Sequence, residues 1–235
     1  MATSSPKSDP EAHAALSPAV IFVLAWLRLV GRSIDGLALS RWPRLFGLWW
    51  RGLWRPPSPW RGGFGAVIAA NKAGVPVDDL VYGEAFVVAA RRLLASIGVG
   101  PESVVVDLGC GRGGVLVAAA SLGAVARGVD VLPAHVEAIG AAAQRAGVEV
   151  ECGDARTIAE RTLDDASVVW LSWVTWSATT RAAVTARLRR LRSGALVVGI
   201  THGVDDDDVF DVVVRRRLWC TWGRADVVVC RRRPH

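Results

Sequence analysis

Val104-Val105-Val106-Asp107-Leu108-Gly109-Cys110-Gly111-Arg112-Gly113-Gly114 is the stretch that decides how this chain folds. Three consecutive valines read as a buried strand with an aspartate near its end. Glycines at alternate positions then allow a tight turn and close backbone approach before a helix begins. Strand, glycine-rich turn and helix together form a recurring cradle for nucleotide-like ligands.

The same alternation continues on both sides. A helix is predicted over 83–96, ahead of the strand at 103–107. After it come a helix over 113–122, a strand over 126–131 and a helix opened by Pro133 and running to Arg145. Strands follow at 148–151, 167–172 and 195–201, with a helix over 178–191 between the last two. Strands 212–221 and 225–231, joined through Trp222-Gly223-Arg224, predict an antiparallel C-terminal hairpin. The expected fold class is α/β: a doubly wound, seven-stranded, mostly parallel Rossmann-like sheet within residues 65–235.

The residues before it differ in kind. Residues 1–12 are expected to be a disordered tail, and 13–64 a hydrophobic and basic, Trp-rich helical extension with a linker marked by Pro56, Pro57, Pro59, Gly62 and Gly63. From Ala12 to Leu27 no Asp, Glu, Lys or Arg occurs. As a helix this run is short of a hydrocarbon core about 30 Å thick. Ser17 and Pro18 also offer a natural helix start, as cap and first-turn residue. A short membrane span extended by Arg28, Leu29 and Val30 and an interfacial helix are both open readings. Beyond Pro43, Arg44, Arg51 and Arg55 oppose Leu45, Phe46, Trp49 and Leu53. That pattern suits a basic helix on a membrane surface or a cap helix packed on the protein itself.

Net charge is +6, yet its placement argues against a nucleic-acid groove. Residues 1–75 hold nine Lys/Arg and three Asp/Glu, while 76–235 hold nineteen of each. No nucleic-acid partner is expected; a membrane surface met by the N-terminal segment is, with the main domain on the cytoplasmic side or, alternatively, soluble in the cytoplasm. Cys110, Cys152, Cys220 and Cys230 show no metal-ligand spacing, so no metal site is expected and all four are read as core residues in a reducing compartment.

Two further acids complete the cradle. Asp130 ends the second strand, where a carboxylate can accept both hydroxyls of a ribose, and Asp154 follows the third, within reach of an adenine amine. Asp107 suits an ammonium group. The turn, with Gly109, Gly111 and Gly113, has the form DxGxGxG rather than the GxGxxG of dinucleotide sites, so a nucleoside ligand without phosphate fits it.

On these residues, 80–203 resemble the class I S-adenosylmethionine-dependent methyltransferases. The resemblance implies S-adenosyl-L-methionine as cofactor, held by Asp107, Gly109, Gly111, Gly113, Asp130 and Asp154, and methylation as the activity. Val81-Tyr82-Gly83-Glu84-Ala85 resembles the cofactor-covering loop of the telomeric-silencing histone lysine methyltransferases, which implies that Tyr82 and Glu84 contact the cofactor. The hydrophobic N-terminus resembles that of the membrane-tethered lysine methyltransferases. Where the telomeric-silencing family carries an Asn pair, this chain has Ser172 and Trp173, so the acceptor does not transfer with the cofactor residues.

The acceptor side is expected at Ser172, Trp173, Thr175 and Trp176, at the C-terminal end of the fourth strand, with His202 after the fifth strand as either a general base or a structural residue. Two indoles there would flank an amine or stack on a flat acceptor, or one of the two is a core residue. Asp205 to Asp208 are either solvated surface or an attractor for a cationic substrate. Three functions remain open: methylation of a protein lysine or other amine, methylation of a small or lipophilic molecule, and a non-catalytic cofactor-binding scaffold at a membrane. Oligomeric state is not readable.

Overall fold

A computed structural model of the chain describes residues 17–54, 68, 71, 72, 74–80, 83–158 and 160–234. The expected tail, the linker prolines and Tyr82 lie outside the described residues.

The elements, in chain order, are α1 (Pro18–Leu39), α2 (Pro43–Leu53), a 3-10 turn (Val77–Leu80), α3 (Val87–Ser96), β1 (Val104–Leu108), α4 (Gly114–Ala120), β2 (Val125–Asp130), α5 (Pro133–Arg145), β3 (Glu149–Cys152), α6 (Glu160–Leu163), β4 (Val168–Leu171), α7 (Ala178–Leu188), β5 (Leu196–Ile200), β6 (Phe210–Cys220) and β7 (Gly223–Arg232). The seven strands form one sheet in the order β3-β2-β1-β4-β5-β7-β6. β1 to β5 pair in parallel, and β7 runs antiparallel between β5 and β6.

Side-chain alternation along the strands sorts the core into two layers. Val105, Ala126, Val168, Trp170 and Val198 join α3, α4 and α5 on one face, while Val106, Leu108, Val169, Leu171 and Val197 join α6 and α7 on the other. The one-residue shift between Val105 and Val106 therefore assigns β1 to both layers. Leu39, Leu45, Leu48 and Trp49, from α1 and α2, belong to the first of these cores.

That packing corrects the membrane-span expectation for the N-terminal helix. Ser17 does cap α1, accepting the Val20 amide at 3.4 Å with Pro18 in the first turn. The helix nevertheless runs on to Leu39, because its charges face protein partners rather than marking its end. Arg28 Nε donates to the Thr221 carbonyl at 2.8 Å, Arg32 pairs with Glu84 at 3.1 Å, and Asp35 accepts the Val87 and Val88 amides at 3.1 and 2.9 Å. Positions 28, 32, 35 and 39 share one helical face. Gly31 lies so near Phe86 that an added Cβ would meet the ring at 2.4 Å. Among the described residues no helix is long and apolar enough to cross a membrane. The apolar face of α2 is likewise used internally: Leu45, Leu48, Trp49 and Gly52 are buried, and the helix packs on α4 and α5.

Two smaller expectations also change. Residues 84–86 are not helical; they lie extended against the end of β6, with Thr221 N donating to Glu84 O at 2.8 Å and Phe86 N to Trp219 O at 3.1 Å. Cys152, at the end of edge strand β3, is exposed, whereas Cys110, Cys220 and Cys230 are buried.

Phe86 gives α3 no capping side chain, so Asp35 does that work from another helix. Burial pushes the Asp35 carboxyl up to about 6 from 3.8, against the pull of the Val88 and Val87 amides and Arg32. The folded chain thus holds a proton that the unfolded chain has released, and this contribution to stability is lost as pH rises through that interval. Relative to Asp35→Asn, the native chain is expected to lose about 2–3 kcal/mol of stability between about pH 4 and about pH 7. Urea unfolding of both proteins at the two pH values checks this; parallel pH profiles would count against it.

Candidate functional site

The glycine turn after β1 is held against β2: the Gly109 and Cys110 amides donate to the Val129 carbonyl at 2.8 and 3.0 Å. Gly109, Gly111 and Gly113 have φ of 84°, 51° and 79°, a region that side chains with a Cβ resist. Gly113 in that conformation starts α4. Beside the turn opens a cleft of about 730 Å³, adjoining solvent included, at the C-terminal ends of β1, β2 and β4. Its walls include Gly109, Asp130, His135, Asp154, Ser172, Trp176 and Thr180, with Val75, Asp79, Leu80 and Gly83 from the preceding segment.

Asp130 is the most fully engaged wall residue. Its Oδ2 accepts the Gly111 amide at 2.8 Å, and its Oδ1 accepts the Leu132 amide at 2.9 Å and lies 3.1 Å from His135 Nδ1. Asp154 accepts the Arg156 amide at 2.8 Å and is paired with the same guanidinium, which also reaches the Gly74 carbonyl. Asp107 is buried, and its Oδ1 has no hydrogen-bond partner. Burial, with Asp130 nearby, drives its carboxyl well above the usual range. Burial, with Asp130 and Asp107 nearby, also pushes the Cys110 thiol well above its usual range.

An orphaned buried carboxyl oxygen beside a turn of glycines fits a cofactor with a cationic amino-acid end. Asp130 and Asp154, on the wall beyond, fit a ribose and an adenine. Gly109, the turn residue on the cleft wall, has no side chain, so the backbone there is open to a ligand.

Glu84 is placed elsewhere. It accepts Arg112 Nε at 2.8 Å and pairs again with Arg112 Nη2, while Arg32 binds its Oε2 at 3.1 Å. Arg112 Nη1 reaches the Gly52 carbonyl at 3.3 Å. Glu84 therefore ties α1 to the glycine turn, Arg112 ties α2 to it, and Gly83 lines the cleft instead.

The expected acceptor residues also separate. Ser172 and Trp176 line the cleft, and Ser172 Oγ accepts Trp170 Nε1 at 3.1 Å. Trp173 is corrected to a core residue: it is 1% exposed and its Nε1 donates to the His202 carbonyl at 2.9 Å. Thr175 and the His202 side chain are not among the cleft walls. The turn at His202 follows Thr201, the one non-glycine residue with positive φ among the described residues, at 72°.

Three residues not singled out from the sequence contribute. His135 follows Asp130 by five positions in the first turn of a proline-opened helix, a spacing that returns its ring to the strand end. Asp79 accepts the Ser177 amide at 2.7 Å and the Thr180 hydroxyl at 2.6 Å, fastening the 75–80 segment beside the cleft. Arg156 holds Asp154. No local pattern announces Asp79, whose partners are about a hundred residues away.

Residues 105–194 match a family model described as a methyltransferase domain. No curated protein matches the chain. Among solved structures, TrmN from Thermus thermophilus is 18% identical with a TM-score of 0.52, over 62% of this chain and 48% of that one. The chain thus spans about half the length of that protein. An RNA methyltransferase from Salinibacter ruber, in complex with S-adenosyl-L-homocysteine, is 24% identical with a TM-score of 0.51, over 62% and 91%. Magnesium protoporphyrin IX methyltransferase from Synechocystis, with bound S-adenosylmethionine, is 16% identical with a TM-score of 0.52, over 62% and 77%. At these identities the likeness is one of fold.

Proposed function

We propose that the chain is a class I S-adenosylmethionine-dependent methyltransferase that methylates a small or lipophilic molecule rather than a protein lysine, a reading supported by the methyltransferase-domain match over residues 105–194 and by the sheet order. The observation that carries this reading is the unequal fate of the two lip indoles. Recognition of a cationic amine through aromatic faces favours a cage of several rings. Here, among the described residues, Trp173 is withdrawn into the core and Trp176 is the one aromatic side chain on the cleft, among Val75, Leu80 and Ala155. The acidic run that would attract a lysine is partly spent: Asp206 is buried in a 2.6 Å pair with Arg189.

When bound, S-adenosylmethionine supplies a methyl group already activated by its sulfonium, so transfer is a displacement that depends on position and dryness. Asp130 and Asp154 would hold the nucleoside, and Asp107 with the glycine turn the amino-acid end. Asp79 keeps the 75–80 segment against the start of α7. Ser172 accepts from Trp170 and so retains its own hydroxyl hydrogen for an acceptor. Trp176 offers that acceptor one flat face.

The test is incubation of the full chain with methyl-labelled S-adenosylmethionine and a cell extract, with organic-soluble, aqueous small-molecule and protein fractions counted separately. Label is expected in a small-molecule fraction. Label confined to protein contradicts the proposal, and label in none favours a binder without turnover.

A further inference from the structure

The face of α1 turned away from the domain is an apolar ridge. Phe22, Trp26, Leu29 and Leu37 are 71%, 58%, 66% and 77% exposed, at the spacing of one helical face interrupted only by Ser33. The ridge covers roughly 22 Å of helix at ~1.5 Å per residue. Its docking side carries Arg28, Arg32 and Asp35, so the polarity of α1 is inverted relative to an ordinary surface helix: charge inward, hydrocarbon outward.

Beside the ridge, Val30 and Ile34 form an apolar groove with Trp219 of β6 and Arg92 of α3. A second groove shares Arg92 and Trp219 and adds Arg216 and Arg217. Arg224 stacks on the same Trp219 at 5.5 Å. From Val212 to Arg224 the chain contains four arginines and no acid; among the described residues Arg217 meets Asp226 of the following strand at 3.4 Å. The exposed hydrocarbon is thus bordered on one flank by cationic side chains.

We propose that this surface seats the protein on an anionic lipid bilayer, with the α1 ridge entering the headgroup boundary and the arginines of the β6–β7 hairpin and α3 on the phosphates. Interfacial helices of this kind bury their apolar face about 5–10 Å deep and draw further affinity from anionic lipid. The basic border favours a bilayer over a second copy of the chain, because pairing two identical faces about a twofold axis would bring like charges together. The helix lies on the surface and does not cross it. The seat is independent of which acceptor the cleft takes.

The test is co-sedimentation of the full chain with phosphatidylcholine vesicles, with and without phosphatidylglycerol, at low and high salt, alongside sedimentation equilibrium without lipid. Binding to the anionic vesicles, weakened by salt, is expected, with Phe22→Glu/Leu29→Glu lowering it at least about tenfold through lost apolar burial. Arg216→Glu/Arg217→Glu should weaken binding and flatten its salt dependence. Cofactor binding and the thermal midpoint of both variants should match those of the native chain. The proposal is overturned if neither vesicle is bound or if Phe22→Glu/Leu29→Glu binds like the native chain. A dimer that Phe22→Glu/Leu29→Glu splits into monomers, without vesicle binding, would assign the ridge to a second copy instead.

Discussion

Asp130→Ala is expected to lower S-adenosylmethionine affinity by about 100-fold or more, while the chain still folds. Two losses combine. The carboxylate that would accept the ribose hydroxyls is removed, and hydrogen bonds to a charged group contribute about 1.5–3 kcal/mol each. The Gly111 amide, held at 2.8 Å, also loses its partner, so the glycine turn is fixed less firmly against β2, although the Gly109 and Cys110 amides keep the Val129 carbonyl. Asp130→Asn separates the two effects: its amide oxygen can still accept from a turn amide, but it presents less charge and one acceptor fewer. Titration calorimetry should therefore rank the native chain above Asn and Asn above Ala. Equal affinity for all three would remove Asp130 from the site.

Glu84→Ala is expected to destabilise the chain by about 3 kcal/mol, the low end of the range for removing one partner of a buried ion pair, because this pair is partly buried. Arg112 is only 8% exposed on its side chain and Glu84 15%, so the guanidinium left behind is poorly hydrated. Pairing, not charge itself, carries the stability. A double variant, Glu84→Met with Arg112→Met, should thus recover most of the loss, since packed apolar residues often replace such pairs at little cost. Urea unfolding measures all three. Because Arg112 belongs to the glycine turn and Arg32 to α1, the single variant should also weaken cofactor binding and loosen the N-terminal helix. A loss below about 1 kcal/mol, the level of an exposed pair, would show that the cluster is solvated.

The sheet was legible in the sequence because its signals are local. Pro133 and Arg145 bound α5 where the periodicity puts them, and the valines of β1 announce a strand buried on both faces. The order of three acids behind successive strands placed Asp130 and Asp154 on one wall. What was not legible depends on contacts between distant residues. Trp173 and Trp176 are chemically alike and three positions apart, yet one meets the His202 carbonyl and the core while the other meets the cleft. In α1 the charge at 28 reads as the end of an apolar run, and those at 32 and 35 carry no local signal. Only their partners, Thr221, Glu84 and the amides of α3, reveal them as the docking face. Glu84 shows the limit of resemblance as a guide: a residue for which the resemblance implied a cofactor contact is paired with Arg32 and Arg112 beside the turn.

Titration of S-adenosylmethionine into the full chain tests the central claim most directly. One-to-one saturable binding is expected, with S-adenosylhomocysteine competing for the same site and a dinucleotide such as NAD failing to do so. Absence of binding heat, together with no rise in thermal midpoint at saturating S-adenosylmethionine, would contradict the account.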